Sequence, residues 1–583
     1  VWFPLALFLV EKFLEKDKIL PLFLLAFAQS QSWLGGFPQF SAYAALFVTA
    51  YFFLRLRESA RPFSRKVKVS LWFFGALALS TLIALPQLWA TLELASRSTR
   101  VLYGKEFALW GSVPPWCLAT LFMVSWGAFL RYKVYVGIWP LMAVLAGGFQ
   151  KRFAVWWVLV GLSLFFAFGA FNPFNWMLLH LPVASLLRNP SKFLFFTAFF
   201  LAILAGFSVD SLSARSFSRA AGFLGLFAVL AIGAWVITHF GGGILLRFGR
   251  WYTESFVVGK SFHQGTPDDY LRKIESILSA TRQELDLANP FFWVPFIFGA
   301  LFLGWVRLQK ESGKRPVMKS VFVILLALDL FLFAKFGYGT GFLGNIGPFP
   351  DVGAVERLEK DGRWLDLTRE EEAVFPPNRN LLTGHAQIGA YSPLLDKDYY
   401  VLTKDFGALD DSFGRTRLSV ESLRAYRSLV NLLGVKYLIA GRGQTLEGFT
   451  LLRPLNGKSI YMNPEAQGEF HLAVKRGFRS VRVLKNDPLS AAIEVDSTEG
   501  GLLVRNQLYT KDWKVRMDGK ERRLERAYTV FQGVEVPKGG HRLEWSYEPD
   551  WFTVGRWFYA GGLAVVFMGI LFFGVFSAKG RVG

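Results

Sequence analysis

Cysteine is almost absent from this sequence, because Cys117 is the single one among 583 residues. No disulfide can therefore form within the chain, and any water-exposed domain must be held together by its own apolar core. The six histidines are scattered, and neither Cys₄ nor Cys/His zinc spacing occurs. A P-loop, a GxGxxG turn after a strand and an HExxH helix are also missing. No cofactor is identifiable and no metal site is predicted, although a requirement for a divalent cation stays open.

Acidic residues are scarce relative to basic ones, with 44 Asp and Glu against 65 Lys and Arg. Residues 351–550 hold 30 basic and 29 acidic side chains, so the other 35 basic and 15 acidic residues lie elsewhere in the chain. The basic excess falls in short connections between apolar runs, which is the positive-inside pattern of membrane proteins. Anionic membrane lipid is the expected partner, and no binding of nucleic acid is predicted.

Long apolar runs dominate the remainder of the sequence, in which 52% of all residues are hydrophobic and 60 are Phe. Several runs approach the roughly 20 residues that cross a bilayer core. The chain opens on Val1 inside such a run, without a signal peptide, and we expect the true N-terminus to lie upstream. The predicted spans are residues 1–10 (partial), 19–34, 41–56, 71–93, 134–149, 153–171, 192–209, 219–238, 290–308, 319–337 and 553–577.

The basic connections predict the orientation of these spans. All of them fall on one side when the spans alternate, and we assign that side as cytoplasmic. The segment Trp116–Leu130 would break this alternation, and we interpret it as an interfacial or re-entrant helix because it is short and follows Pro114 and Pro115. The connections are Glu11–Lys18, Arg55–Lys68, Lys151–Arg152, Asp210–Arg219, Arg307–Lys319 and Lys579–Arg581.

The predicted fold is a polytopic α-helical membrane protein with an extracytoplasmic domain and a final transmembrane helix. Residues 1–337 form the multi-span region of about ten spans, 338–470 a mixed α/β subdomain, 471–550 a β-sandwich-like subdomain and 551–583 the last helix with its tail. Within these, Gly434–Ala440 is a short apolar run typical of a buried strand, and a helix is expected around Val420–Leu433.

Alternation of apolar and polar residues over 471–548 indicates β structure, with Asp518-Gly519 as a hairpin turn. This part is too small to be stable alone, and we expect it to pack against the preceding subdomain. An amphipathic helix is predicted in the loop 240–288, where Leu271, Ile274 and Leu278 recur at helical spacing.

Several segments, in order along nearly the whole chain, resemble the bacterial YfhO-type membrane proteins, which belong with the GT-C glycosyltransferases. The matching segments are WLGGFPQ (Trp33–Gln39), LPQLWATLELASRSTR (Leu85–Arg100), YVGIWPL (Tyr135–Leu141), LRNPSKFLF (Leu187–Phe195), LLGVKYLIA (Leu432–Ala440), DWKVRMDGK (Asp512–Lys520) and VPKGGHRLEWSYEP (Val536–Pro549).

The resemblance implies transfer of a sugar from a polyprenyl-phosphate donor to a cell-envelope polymer or lipid, on the outer face of a bacterial cell membrane. It also implies a catalytic acid in the first outer loop, and no residue of this sequence can be matched to it. Two other classes remain open. One is a non-catalytic transport or assembly protein for envelope polysaccharide, and the other is a receptor-like scaffold.

Five side chains are candidates for the site. Gln39 either donates to a lipid phosphate or belongs to a tight helix–helix turn. Glu93 either assists catalysis or forms an i,i+4 ion pair with Arg97. Arg188 and Lys192 open an outer-facing span and either cradle the donor phosphate, together with Arg97, or anchor the helix at the headgroups.

Three further features carry open interpretations. Asp329 lies in the middle of a predicted span, and a helix–helix hydrogen bond is favoured over a catalytic role. His385 and the run Asp396–Tyr400 could contact sugar, but a lone histidine in a water-exposed loop is usually only solvated. Asp410 and Asp411 have no acidic partner at metal-binding spacing.

Overall fold

The structure is a computed structural model. It describes residues 2–102, 108–123, 134–174, 180, 189–212, 214–256, 267–311, 315–337, 358–368, 374, 378, 380–388, 392, 394–403, 418, 420–473 and 478–579. The chain divides into two compact units. Unit 1 comprises Val1–Thr81, Tyr103–Gly347 and Val566–Gly583, and unit 2 comprises Leu82–Leu102 and Pro348–Val565.

Helices account for most of the described residues. Short 3₁₀ segments lie at Thr99–Leu102, Pro115–Leu121, Lys151–Phe153, Gly169–Phe171 and Pro190–Phe193. The α-helices, in chain order, are α1 (Trp2–Lys16), α2 (Leu20–Leu34), α3 (Pro38–Glu58), α4 (Phe63–Ile83), α5 (Leu85–Ser96), α6 (Ile138–Gly147), α7 (Ala154–Phe168), α8 (Leu194–Asp210), α9 (Ala214–Phe240), α10 (Gly242–Phe256), α11 (Pro267–Leu285), α12 (Pro290–Glu311), α13 (Arg315–Leu332), α14 (Asn380–Thr383), α15 (Lys397–Thr403), α16 (Val420–Leu423), α17 (Arg427–Leu432) and α18 (Asp550–Lys579).

Eight helices in the described ranges are long and apolar enough to cross a membrane, which is consistent with membrane insertion. Their surfaces support this, since α9 exposes Leu226, Val229 and Leu230, as lipid contact would require. The eight are Pro38–Glu58, Phe63–Ile83, Lys151–Phe171, Pro190–Asp210, Arg215–Phe240, Pro290–Leu308, Val317–Phe336 and Asp550–Gly574.

Three of the predicted spans are shorter than a bilayer crossing requires. Helices α1 and α2 each have 15 residues, and α6 has 10. A helix of 15 residues rises only about 22 Å, against a hydrocarbon core of about 30 Å. Of the segment Trp116–Leu130, the structure describes the 3₁₀ helix Pro115–Leu121, whereas residues 124–133 lie outside the described ranges.

The predicted span 71–93 is wrong in its bounds, because α4 ends at Ile83 and a separate helix, α5, begins at Leu85. Pro86 stands in the first turn of α5, and a proline can start a helix but cannot continue the preceding one. The membrane-length helix therefore begins earlier, at Phe63, within the predicted Arg55–Lys68 connection. Residues 82–102, including Glu93 and Arg97, belong to unit 2.

In unit 1, Asp329 is fully buried on α13 and accepts hydrogen bonds at the start of α6. The backbone N–H of Ile138 donates to its Oδ2 at 2.5 Å, and the Tyr135 hydroxyl donates to its Oδ1. The predicted helix–helix hydrogen bond is thus confirmed, with Asp329 satisfying an N–H that the first turn of α6 leaves free. The amphipathic helix predicted in the loop 240–288 is also present as α11, and α10 precedes it.

Unit 2 contains a mixed sheet with the strand order β2-β1-β3-β5-β4. Strand β1 pairs in parallel with β2 and β3, and β5 pairs antiparallel with β3 and β4. The apolar run predicted as a buried strand is β3. The expected helix around Val420–Leu433 is split into α16 and α17. The strands are β1 (Arg363–Asp366), β2 (Ala386–Gln387), β3 (Val435–Ala440), β4 (Thr450–Leu455) and β5 (Lys458–Met462).

The following residues form two antiparallel sheets, β11-β10-β14-β8-β7 and β12-β13-β9-β6. Both sheets contribute to one apolar core, which includes Ile493, Leu503 and Val515. Asp518 and Gly519 have positive φ at the β10–β11 turn, as predicted. The strands are β6 (Phe470–Leu472), β7 (Phe478–Asp487), β8 (Ser490–Ser497), β9 (Gly501–Leu508), β10 (Trp513–Met517), β11 (Lys520–Arg522), β12 (Glu525–Ala527), β13 (Phe531–Val536) and β14 (Gly539–Tyr547).

A second apolar core of unit 2 joins the mixed sheet to this pair of sheets. Val430 and Leu438 from the first part are buried with Val504 and Phe531 from the second. The expected packing of residues 471–548 against the preceding subdomain is therefore confirmed. The shared core provides the burial that a domain of this size lacks alone.

Candidate functional site

A cavity of about 740 Å³ lies within unit 2. Its walls come from α5, from the described residues between Gln387 and Tyr399, from the loop between β9 and β10, and from the end of β14 with the start of α18. Pockets of this size commonly hold small-molecule ligands in proteins. The charged side chains that line it are those of Glu93, Arg97, Arg363, Asp396 and Asp512.

Helix α5 contributes Glu93 and Arg97, and the predicted ion pair between them is wrong. Arg97 Nη2 lies 3.3 Å from Asp396 Oδ2, whereas Glu93 Oε1 lies 3.7 Å from Lys511 Nζ. The helix ends at Ser96, so Arg97 stands just beyond it and its side chain is not held over the preceding turn. Both charged residues instead meet partners that are distant in the sequence.

Asp396 has a structural role at the cavity wall. Its Oδ1 accepts hydrogen bonds from the backbone N–H of Asp398 at 2.9 Å and of Tyr399 at 3.2 Å, and so caps α15. Its Oδ2 pairs with Arg97. Backbone hydrogen bonds flank this pair, from Thr99 N to Leu395 O at 2.7 Å and from Lys397 N to Arg97 O at 2.9 Å. Residues 97–99 are thereby fixed to the start of α15.

Asp512 is the carboxylate that lacks such partners. The residue is only 5% exposed, and its backbone carbonyl accepts a hydrogen bond from Glu548 N at 2.8 Å. Within the described ranges, no protein group donates a hydrogen bond to its side chain. Burial raises the pKa of Asp512 above its ordinary value, and the negative charge of Glu93 adds to this, whereas Lys511 and Arg97 oppose it.

Aromatic rings lie beside Asp512. The rings of Trp513 and Tyr547 have centroids 5.3 Å apart, and Trp551 follows on the first turn of α18. Burial and the nearby Asp512 raise the pKa of the Tyr547 hydroxyl, so this group stays neutral at physiological pH and can donate a hydrogen bond. The cavity thus combines flat apolar surfaces with a few polar groups, which suits a ligand with one apolar face and several hydrogen-bonding groups.

Lys192 and Gln39 are brought together in unit 1. Lys192 Nζ donates to Gln39 Oε1 at 2.9 Å and lies 4.6 Å from the centroid of the Phe37 ring. Gly36, with φ +84°, makes the tight turn between α2 and α3 that was one of the two interpretations of this segment. Arg188 lies outside the described residues. Arg97 belongs to unit 2.

His385 differs from its expected solvated state. The residue is 2% exposed, and its ring nitrogens lie 2.8 Å from Thr383 Oγ1 and 3.2 Å from Leu358 O. It is therefore part of the packing of unit 2. Asp410 and Asp411 lie outside the described residues.

Among the residues that the structure describes, no group of three or more His, Cys, Asp or Glu side chains is placed to hold a metal ion. Comparison of the chain with protein-family models, curated proteins and solved structures yields no match. A proposal about the function of this protein therefore rests on the membrane-length helices and on the cavity of unit 2.

Asp512 was not among the site residues expected from the sequence, although it begins the segment DWKVRMDGK. The sequence signal that could have pointed to Asp512 is an acidic residue beside a tryptophan, at the start of a segment with alternating apolar and polar residues. Its burial depends on α5 and on the end of β14, which the local pattern does not reveal.

Proposed function

We propose that this chain is a membrane glycosyltransferase of GT-C type, related to the YfhO-type proteins. It would transfer a sugar from a polyprenyl-phosphate donor to a polymer or lipid of the bacterial cell envelope. The ordered sequence segments support this, as do the eight helices of membrane-crossing length. The observation that carries the proposal is the cavity of unit 2, whose carboxylates and aromatic rings suit a carbohydrate.

Saccharides fit this lining for two physical reasons. Their hydroxyl groups donate hydrogen bonds that carboxylates such as Glu93 and Asp512 can accept, and hydrogen bonds to charged groups are the stronger kind. Their C–H faces are apolar enough to lie against the rings of Tyr547 and Trp551. Both kinds of contact are available in one cavity.

The donor phosphate is assigned to Lys192 in this proposal. The residue lies in the 3₁₀ turn Pro190–Phe193 that leads into α8, and its ammonium group would pair with the phosphate. Gln39, in contact with Lys192, would orient the ammonium group. The prediction for Arg188 rests on the sequence alone.

The reaction itself needs one proton acceptor. An acceptor hydroxyl attacks C1 of the sugar, the bond between C1 and the phosphate oxygen breaks, and polyprenyl phosphate leaves with the electron pair. The hydroxyl proton passes to a carboxylate base. The resemblance implies an acid in the first outer loop for this step, and no residue of this sequence is matched to it.

The proposed orientation places unit 2 on the outer side of the membrane. The basic connections support it, because all of them fall on one side when the short helices α2 and α6 are counted as crossings together with the longer ones. The packing of residues 82–102 within unit 2 agrees with it, because the alternation of the predicted spans assigns the residues that follow span 71–93 and the large domain to the same side.

The test is sugar transfer by the purified full-length protein in liposomes, with polyprenyl-phosphate-linked glucose and N-acetylglucosamine as labelled donors and an envelope extract as acceptor. Lys192→Gln should lower the rate about 10- to 100-fold, because it removes a charged phosphate contact. Lys12→Gln, which alters an exposed cation on α1, is the matched control and should transfer normally. Absence of transfer from either donor would favour the transport or assembly alternative.

A further inference from the structure

The cavity of unit 2 contains one buried carboxylate without a protein donor. Asp512 is 5% exposed, whereas Asp396 in the same wall accepts hydrogen bonds through both of its oxygens. Burying an ionised carboxylate without hydrogen bonds is costly, and most buried polar groups in proteins are paired. A molecule that enters the cavity, water in the unliganded protein or a ligand hydroxyl, can supply the donors that Asp512 lacks.

The charges around Asp512 restrict the kind of molecule. Glu93 and Asp550 act on it as negative charges, and Lys511 and Arg97 act as positive charges. An anionic ligand group would meet the carboxylates of Asp512 and Glu93, and a cationic group would meet Arg97 and Arg363, which line the same cavity. A neutral group that donates hydrogen bonds, such as a hydroxyl, is favoured over both.

The aromatic rings give the ligand its shape. Trp513 and Tyr547 pack at 5.3 Å between centroids, and Tyr547 and Trp551 line the cavity on the side of Asp512. Flat rings beside a hydrogen-bond acceptor suit a ring-shaped ligand that is polar at its edge and apolar on its face.

We propose that this cavity binds a neutral saccharide, whose hydroxyl groups donate to Asp512 and Glu93 while one sugar face lies on Tyr547 and Trp551. The assignment of this saccharide as the acceptor in sugar transfer rests on the proposed function, whereas its binding does not. Arg97 and Asp396 position the wall by joining residues 97–99 to α15, without serving as ligands to the sugar.

Binding can be measured without any donor, which separates this inference from the proposed function. The full-length chain in a zwitterionic detergent is titrated with neutral trisaccharides of glucose, N-acetylglucosamine or mannose, and saturation-transfer NMR reports binding. Maltoside detergents must be avoided, because their headgroups are themselves saccharides. At least one trisaccharide should bind, and Asp512→Asn should weaken that binding about tenfold, since a charged acceptor becomes a neutral one.

Two further variants make the result decisive. Glu93→Gln should also weaken binding, whereas Glu499→Gln, at an exposed position in the loop between β8 and β9, should leave it unchanged. Melting temperatures confirm that each variant is folded. Failure of all three trisaccharides to bind the wild-type chain overturns the proposal, as does equal binding by the wild type, Asp512→Asn and Glu93→Gln. Saccharide binding without sugar transfer would retain this inference and reject the proposed function.

Discussion

Arg97 and Asp396 lie 299 residues apart in the sequence, and their side chains form an ion pair with 3.3 Å between Nη2 and Oδ2. Both side chains are largely shielded from water. The pair joins the chain just after α5 to the start of α15, and two backbone hydrogen bonds reinforce it on either side. It therefore sets the position of one wall of the cavity.

Breaking this pair should destabilise unit 2. We expect Arg97→Gln and Asp396→Asn each to lower the melting temperature of the full-length protein, and the double variant to lower it by less than the sum. The coupling free energy between the two substitutions should be about 1 kcal/mol, which lies between the values typical of exposed and of buried ion pairs. Asparagine keeps an oxygen that can cap α15, so the change acts mainly on the ion pair.

The exposed pair Arg424–Glu447 in unit 2 is the matched control for this cycle. Both of its side chains are well solvated, and Arg424→Gln and Glu447→Gln should give additive, near-zero effects. Additive losses from Arg97→Gln and Asp396→Asn would show that the two side chains contribute independently.

The elements of unit 2 could largely be predicted, because their signals are local. The run Gly434–Ala440 and the turn Asp518-Gly519 each depend on a few neighbouring residues, and both occur as predicted. The break between α4 and α5 was missed, although Pro86 was visible, because the residues on both sides of it are apolar. Continuous hydrophobicity indicates burial or lipid contact and does not show where one helix gives way to another.

The site could be predicted only in part. Glu93 and Arg97 were recognised as candidates, but a helical spacing rule paired them with each other, and the long-range partners Lys511 and Asp396 took their place. Such partners depend on tertiary packing, which outweighs an i,i+4 pair worth a few tenths of a kcal/mol. The role of Asp512 follows from its burial by α5 and the end of β14, which are distant in the sequence, and no spacing rule detects it.

Asp512 should make stability depend on pH in a defined direction. Its pKa in the folded protein is raised above the ordinary 3.8, chiefly by burial, so the folded state binds this proton more tightly than the unfolded state does. The contribution of Asp512 to the stability of the folded protein is therefore fully present below pH 3.8 and is lost as the pH rises through the pKa of the folded state. Asp512→Asn removes that loss.

We expect Asp512→Asn to melt about 2–4 °C higher than the wild type at pH 8, and the difference to shrink as the pH falls towards 4. Thermal unfolding of the unliganded full-length protein across this range measures it. Glu499→Gln should show no such pH-dependent difference. A lower melting temperature for Asp512→Asn at pH 8 would mean that the carboxylate has stabilising partners.

Asp329 should be a stabilising residue of unit 1. Its carboxylate is fully buried and accepts hydrogen bonds from Ile138 N and the Tyr135 hydroxyl. Asp329→Ala leaves both donors unpaired, and we expect a cost of about 1–3 kcal/mol, seen as a lower melting temperature in detergent. Asp329→Asn retains one acceptor oxygen and should cost less, and equal losses for the two variants would exclude this hydrogen-bonding role.

Gly137 immediately precedes α6 and offers an independent test of the same junction. Its φ is +94°, and a Cβ atom there would come within 3.1 Å of Asp329 Oδ2. Gly137→Ala should therefore destabilise unit 1 through backbone strain and crowding of the carboxylate. The measurement is the same melting curve, with Gly161→Ala as control, since a Cβ atom at Gly161 would contact nothing within 4 Å.

The orientation of the chain can be tested by labelling single cysteines with a membrane-impermeant maleimide. Cys117 is buried and is first replaced by Ser. Ser480, on β7, and Ser64, in the first turn of α4, are both exposed to solvent, so labelling at either is limited by the membrane and not by packing. The basic connections predict that Ser480 lies outside and Ser64 in the cytoplasm. We expect Ser480→Cys to be labelled in intact cells and Ser64→Cys only after permeabilisation. The reverse pattern would invert the assignment and place unit 2, with its cavity, on the cytoplasmic side, where an acceptor from the cell envelope could not reach it.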